Sequence, residues 1–254
     1  MLRYFALTIA CLFTLNTAIA QYDDYEEFED EGGYLFGFKG GLTVGTQNWG
    51  GFEREPLLAY HGDLFIESLP EEGKFSLWAQ LGYHIRGSSI QNRFGSTVGG
   101  QVFLAPGESF QFRNAVLGVG ARQVFSQTAT TNLYWLLGLR VEYTFDTNLD
   151  DYDSIEDVFL RGYFPFEDYN FVNRINYGAI VGGGFEFPLS PMVSALIEIS
   201  ASPDFSLQYN QPEIPNVIDP RTSGNTSLPA RQIRNLTLEV SAGFRFRRRI
   251  IYID

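Results

Sequence analysis

Leu133-Tyr134-Trp135-Leu136-Leu137-Gly138-Leu139-Arg140-Val141-Glu142-Tyr143-Thr144-Phe145 places an apolar or aromatic side chain on every odd position, with Arg140, Glu142 and Thr144 on even ones. Side chains on a β-strand alternate between its two faces, so this stretch has one greasy face and one that carries charge. Seven more stretches repeat the rhythm, and together they predict an all-β fold: an eight-stranded antiparallel transmembrane β-barrel with long extracellular loops and short periplasmic turns.

The first stretch, about Tyr34 to Gly45, sets Tyr34, Phe36, Phe38, Leu42 and Val44 against Lys39 and Thr43. The second, about Leu57 to Leu69, sets Leu58, Tyr60, Leu64 and Ile66 against His61, Asp63, Phe65 and Glu67. In the third, Phe75 to Gly87, Leu77, Leu81, Tyr83 and Ile85 oppose Trp78, Gln80, His84 and Arg86. The fourth, about Phe110 to Val124, is the least regular, and its parity slips near Asn114, as a β-bulge would make it do. The sixth (Ile175 to Phe187), seventh (Val193 to Ser202) and eighth (Asn235 to Phe246) carry Glu186, Glu198, Glu239 and Arg245 on their polar faces. Eight strands is the reading adopted, with ten the alternative count.

Connection lengths test the barrel independently. The links after the second, fourth and sixth stretches are short, with Pro70-Glu71-Glu72-Gly73 and Pro188-Leu189-Ser190-Pro191 as turns. Those after the others are longer, roughly Gln47 to Pro56, Ser88 to Ser109, Asp146 to Arg174 and Pro203 to Arg234. Aromatics gather at both expected interfaces: Tyr34, Phe36, Phe75, Trp135, Phe187 and Phe246 at the turn end, and Tyr60, Tyr83, Tyr143 and Tyr177 at the loop end. A secreted soluble β-sandwich or lipocalin-like barrel also alternates. Its strands run about 5 or 6 residues, however, and the non-apolar face here is rich in Gly and poor in surface Lys.

Residues 1–20 combine Arg3, an apolar run from Tyr4 to Leu15 and Ala18-Ile19-Ala20, which reads as a secretory signal peptide cleaved after Ala20. A lipoprotein site at Cys11, preceded by Thr8-Ile9-Ala10, is the alternative. The domain map is then signal peptide 1–20, acidic periplasmic tail 21–33, barrel 34–246 and a C-terminal extension 247–254. Cleavage after Ala20 removes Cys11, the single cysteine, and with it disulfide and thiol chemistry. A net charge of −12 argues against nucleic acid as a partner. Acids concentrate at Asp23 to Glu31 and at Asp146 to Asp168, which read as a solvated tail and loop.

The opening Leu35-Phe36-Gly37-Phe38-Lys39-Gly40-Gly41-Leu42, the strand pair around a Glu-Gly turn, Trp135-Leu136-Leu137-Gly138-Leu139, Gly182-Gly183-Gly184-Phe185-Glu186 and the closing Gly243-Phe244-Arg245-Phe246 carry a resemblance. In these the chain resembles the outer-membrane β-barrel family common in Bacteroidetes, the group that includes PorT-type proteins. The resemblance implies outer-membrane localisation, and for PorT-like members an accessory role in a secretion or transport assembly.

Strand parity sends Lys39, His61, Asp63, Glu67, His84, Arg86, Arg140, Glu142, Glu186, Glu198, Glu239 and Arg245 into the lumen, with Arg113 beside them. Opposite charges in a narrow barrel predict a salt-bridged plug, because a buried charge is tolerated only when paired. His61, Asp63 and His84 sketch a His-Asp pair that could activate water or a serine, but they point away from lipid and lack a serine-centred motif. No catalytic, cofactor or metal site is expected. Asp146-Thr147-Asn148-Leu149-Asp150 with Asp157 echoes a calcium loop without its glycine, since Asp151 stands at the sixth position. The sequons at Asn225 and Asn235 read as chance. The expected function is non-enzymatic: a closed barrel anchoring loops for binding or envelope structure. Its partners would be outer-membrane lipid or lipopolysaccharide and an envelope or secretion-machinery protein, with Tyr163-Phe164-Pro165-Phe166 and Ile214-Pro215-Asn216-Val217-Ile218 as loop anchors.

Overall fold

The computed structural model describes residues 32–49, 54–70, 75–90, 93–96, 100–105, 107–152, 171–218 and 224–250. The signal peptide, nearly all of the acidic tail, the Glu71-Glu72-Gly73 turn, Asp157 and Tyr163-Phe164-Pro165-Phe166 lie outside these residues.

Eight long strands form the wall: β1 (Gly32–Gln47), β2 (Glu55–Ser68), β3 (Phe75–Ile90), β6 (Glu108–Gln127), β7 (Asn132–Thr147), β8 (Ile175–Ser190), β9 (Val193–Pro203) and β14 (Asn235–Ile250). Among the described residues three two-stranded sheets stand in the long connections: β4 (Arg93–Ser96) with β5 (Val102–Ala105), β10 (Tyr209–Gln211) with β13 (Arg231–Ile233), and β11 (Ile214–Ile218) with β12 (Asn225–Leu228). The wall strands pair antiparallel in the ring β1-β14-β9-β8-β7-β6-β3-β2, an up-and-down meander whose first strand meets its last. Closure leaves no open sheet edge in the wall, as a strand structure within a bilayer requires.

Each strand contains the stretch expected for it, except that β2 stops at Ser68, one residue short of Leu69. The longest extension at a single end is at β14, which runs on to Ile250 with Arg247 to Ile250 paired to Leu35 through Gly32. The boundary expected at Phe246 therefore falls inside a strand, because backbone pairing with β1 continues past the last outward aromatic.

Exposure alternates as the sequence does. On β7, Tyr134, Leu136, Arg140, Glu142 and Thr144 are buried while Trp135, Leu137, Leu139, Val141, Tyr143 and Phe145 are exposed. Phe36, Phe38, Leu42, Leu64, Leu77, Leu81, Ile199, Leu238 and Val240 are likewise exposed around the ring. The apolar surface is on the outside and the polar surface within, the arrangement of a membrane-crossing barrel and the reverse of a soluble one.

Two apolar clusters interrupt the polar interior. Trp78, Tyr134, Leu136, Ile180 and Leu196 pack together toward the turn end, and Trp49, Phe110, Phe112, Leu149, Tyr209 and Ile233 close the loop end. Glycine makes room for the first. A Cβ at Gly138 would stand 2.7 Å from Trp78 Cζ2, and one at Gly120 2.8 Å from the same atom. The indole lies where these two strands carry no side chain.

β6 departs from the reading of its sequence. Its inward set, Phe110, Phe112, Asn114, Val116 and Arg122, keeps one parity throughout. The register does shift beside Asn114, but the extra residue is Phe145 of β7, which lies between the pairs Arg113–Asp146 and Asn114–Thr144.

Candidate functional site

All twelve ionisable residues expected in the lumen face it, and all but His61 take part in a stack of ion-paired layers. At the turn end, β2 brings Glu67, β6 Arg122, β8 Glu186 and β14 Arg245 into a square of alternating charge. Arg122 Nη1 lies 3.0 Å from Glu67 Oε1 and its Nη2 2.7 Å from Glu186 Oε2. Arg245 reaches the same two carboxylates. Each guanidinium spans two acids, a use of its planar fork that a lysine could not reproduce. The Arg122 guanidinium also stacks 3.9 Å above the Tyr134 ring, which ties the square to the apolar cluster.

Above it, Lys39 Nζ lies 2.6 Å from Glu198 Oε1, and the Tyr134 hydroxyl donates to Glu198 Oε2 at 3.1 Å. Next come the histidines. His84 Nε2 is 2.9 Å from Asp63 Oδ1 and its Nδ1 2.9 Å from Glu239 Oε1. With a carboxylate at each ring nitrogen, the imidazole satisfies both only as a double donor. His61 stacks on His84 with ring centroids 5.1 Å apart, and its nitrogens lie 2.9 Å from Thr43 Oγ1 and 2.8 Å from Ser241 Oγ.

Toward the loop end, Glu142 Oε2 sits between Arg86 Nε at 2.9 Å and Arg140 Nη1 at 2.6 Å. These are close ion pairs without hydrogen-bond alignment. Arg86 also contacts Glu239 and bonds Thr237, while Arg140 bonds Asp204. Asp204 in turn accepts from the backbone N and Nδ2 of Asn235. An amide layer follows: Gln208 Nε2 donates to Thr144 Oγ1, which donates to Asn114 Oδ1, and Gln47 Nε2 donates to Asn235 Oδ1. The Trp49–Tyr209 cluster lies on top.

Sequence reasoning missed Arg122 and Asp204 as members of this network. Arg122 shares its parity with Asn114 and Gly118, a signal hidden by the supposed slip in that strand. Asp204 lies just beyond the end of β9 and folds back toward Arg140, a contact no periodicity encodes. Arg113 is corrected. It pairs with Asp146 on the outer side of the wall, its side chain 40 % exposed, because the bulge falls in β7 and leaves Arg113 on outward parity.

The acids and bases cancel closely. Asp63, Glu67, Glu142, Glu186, Glu198, Asp204 and Glu239 face Lys39, Arg86, Arg122, Arg140 and Arg245, with His84 as a further donor. A cavity of about 30 Å³ beside Phe65, Trp78, Leu136 and Leu196 is large enough for ordered water.

Among the described residues, the Ser241–His61 contact is the nearest thing to nucleophile activation. Its His lacks an acid, since Nδ1 faces the Thr43 hydroxyl, and both residues are buried among paired charges. The acidic loop segment is likewise used for structure: Asn148 Oδ1 accepts from Gln111 N, its Nδ2 donates to Ser109 O, and Leu149 is buried.

No family model matches the chain, and no curated protein matches it in sequence. Among solved structures it is similar to Ail, the attachment invasion locus protein of Yersinia pestis, at 11 % identity and a TM-score of 0.38 over 85 % of this chain and 100 % of that one. The same protein in complex with the heparin analogue sucrose octasulfate gives 14 % and 0.37 over 85 % and 99 %. The outer membrane protease OmpT from Escherichia coli gives 10 % and 0.37 over 89 % and 99 %. At such identities and scores these likenesses transfer neither an activity nor a ligand.

Proposed function

We propose that the protein is a closed, non-enzymatic outer-membrane barrel whose plugged interior holds a loop layer for binding or envelope-structural work. The observation that carries this is the filling of the lumen. Ion-paired layers run from the Glu67–Arg245 square to the Arg140–Asp204 contact, and an apolar cap lies above them. A transport pore needs a continuous wet path, and a hydrolase needs substrate beside its nucleophile. Charges paired across the described lumen favour neither. The exposed apolar band supports membrane insertion, with lipid and lipopolysaccharide as the surrounding partners.

The interior also supports placing function at the loops. Gln208, Tyr209, Gln211, Arg231 and Ile233 are buried, so the last long connection is rooted in the plug while β11 and β12 stand out from it. A PorT-like accessory role is a narrower form of this reading, in which the loop layer meets a secretion partner. Stoichiometric co-purification in detergent would mark it.

The deciding experiment is planar-bilayer conductance of the purified protein together with heat-modifiable gel mobility. A folded, silent barrel is the expected result. A large steady current from the folded form would overturn the reading.

A further inference from the structure

Two irregularities of the wall fall at its loop end. Between the pairs Pro56–Ser88 and His61–His84, β2 carries one residue more than β3. Between Arg113–Asp146 and Asn114–Thr144, β7 carries the extra Phe145. Bulges break the local ladder and re-aim side chains. Across these two lies an outward groove of about 430 Å³, lined by Leu58, Tyr60, Tyr83, Ile85, Arg113 and Asp146 among others. Its volume falls within the range of about 300–1,000 Å³ typical of small-ligand sites.

The floor of the groove is apolar and aromatic. Tyr60, Tyr83 and Phe145 form a row with ring centroids 6.1 and 6.0 Å apart, and Ile85 is buried in the wall although it has outward parity. At the rim stand Arg113 and Asp146, whose side chains are 40 % and 45 % exposed. The ion pairs of the lumen are buried. An exposed pair adds little stability, so this one needs another reason to sit on the apolar face.

We infer that the groove binds a single zwitterionic phospholipid. Phosphate oxygens accept from the Arg113 guanidinium, the head-group ammonium donates to the Asp146 carboxylate, and an acyl chain lies along Leu58, Ile85 and the ring row. The charge argument selects the class. A purely anionic head would meet Asp146 and a purely cationic one Arg113, whereas a head bearing both signs satisfies both. The inference rests on the membrane reading above.

The test uses the refolded full chain in detergent, with native mass spectrometry of phosphatidylethanolamine, phosphatidylglycerol and diacylglycerol carrying identical acyl chains. Phosphatidylethanolamine should be retained about tenfold more tightly than the other two, the scale of one charge-assisted contact. Arg113→Gln should abolish that preference, and Asp146→Asn should turn it toward phosphatidylglycerol. Heat-modifiable mobility confirms that each variant folds. Equal retention of the three lipids, or a preference unchanged in both variants, overturns the inference. A chain that inserts into vesicles without discriminating lipids defeats this inference alone, while failure to insert defeats the membrane reading with it.

Discussion

Replacing Arg140 by leucine tests whether the plug holds the barrel together. The guanidinium is fully buried, 2.6 Å from Glu142, bonded to Asp204 and 3.3 Å from Ser202 O. Removing one partner of a buried pair costs about 3–5 kcal/mol because the other charge is left uncompensated. Here neither acid is wholly orphaned: Glu142 keeps Arg86 at 2.9 Å, and Asp204 keeps its bonds from Asn235 at 3.1 and 2.8 Å. The lower end, about 3 kcal/mol, is therefore expected for Arg140→Leu. Adding Asp204→Asn removes the stranded charge and should recover about 1–2 kcal/mol of that loss, the coupling of groups in direct contact. Arg113→Leu, at the half-exposed pair, should cost less than about 1 kcal/mol. Urea titration in lipid vesicles, read by gel mobility and tryptophan fluorescence, measures all three. The reasoning fails if Arg140→Leu costs no more than Arg113→Leu, or if the double variant is no more stable than the single.

Gly138→Val should destabilise the barrel by about 1–3 kcal/mol in the same titration, since a branched side chain must displace the Trp78 indole. Ser241→Ala should cost about 1 kcal/mol, the scale of one buried hydrogen bond, and the wild-type serine should resist labelling by a fluorophosphonate; rapid labelling would revive the enzymatic reading. Deleting residues 214–228, the β11–β12 hairpin, should leave gel mobility and the urea midpoint nearly unchanged. Tyr209→Ala, made lower in the same connection, should cost about 3 kcal/mol by emptying the cap.

Strand count and facing were legible because a two-residue period survives in the chemistry of the side chains. Lys39, His84 and Glu239 could be sent inward from their neighbours alone, since Phe38, Tyr83 and Val240 are outward. Legibility failed where the interior is itself apolar. Phe110 and Phe112 face inward as part of the cap and Val116 faces inward as well, so β6 shows little contrast between its faces, and this misplaced Arg113 and concealed Arg122. It failed again where a contact is set by chain return. The link from Pro203 to Arg234 read simply as a long loop, yet Asp204, Gln208, Tyr209 and Ile233 are built into the plug while β11 and β12 stand clear of it. The pairing of each lumen charge was likewise invisible, because it depends on distances across the barrel between residues far apart in the chain.

The seam between β1 and β14 bears on the order of events during folding. Gly32 pairs with Ile250 and Gln47 with Asn235, so every bond along this line joins segments separated by most of the chain. Contacts of such separation carry the largest loop-closure entropy and form late. Until β14 arrives, β1 offers an unsatisfied strand edge carrying Phe36, Phe38 and Leu42, a template for pairing with another copy. Pairing of β14 with β1 is therefore the step that removes the last open edge of the wall.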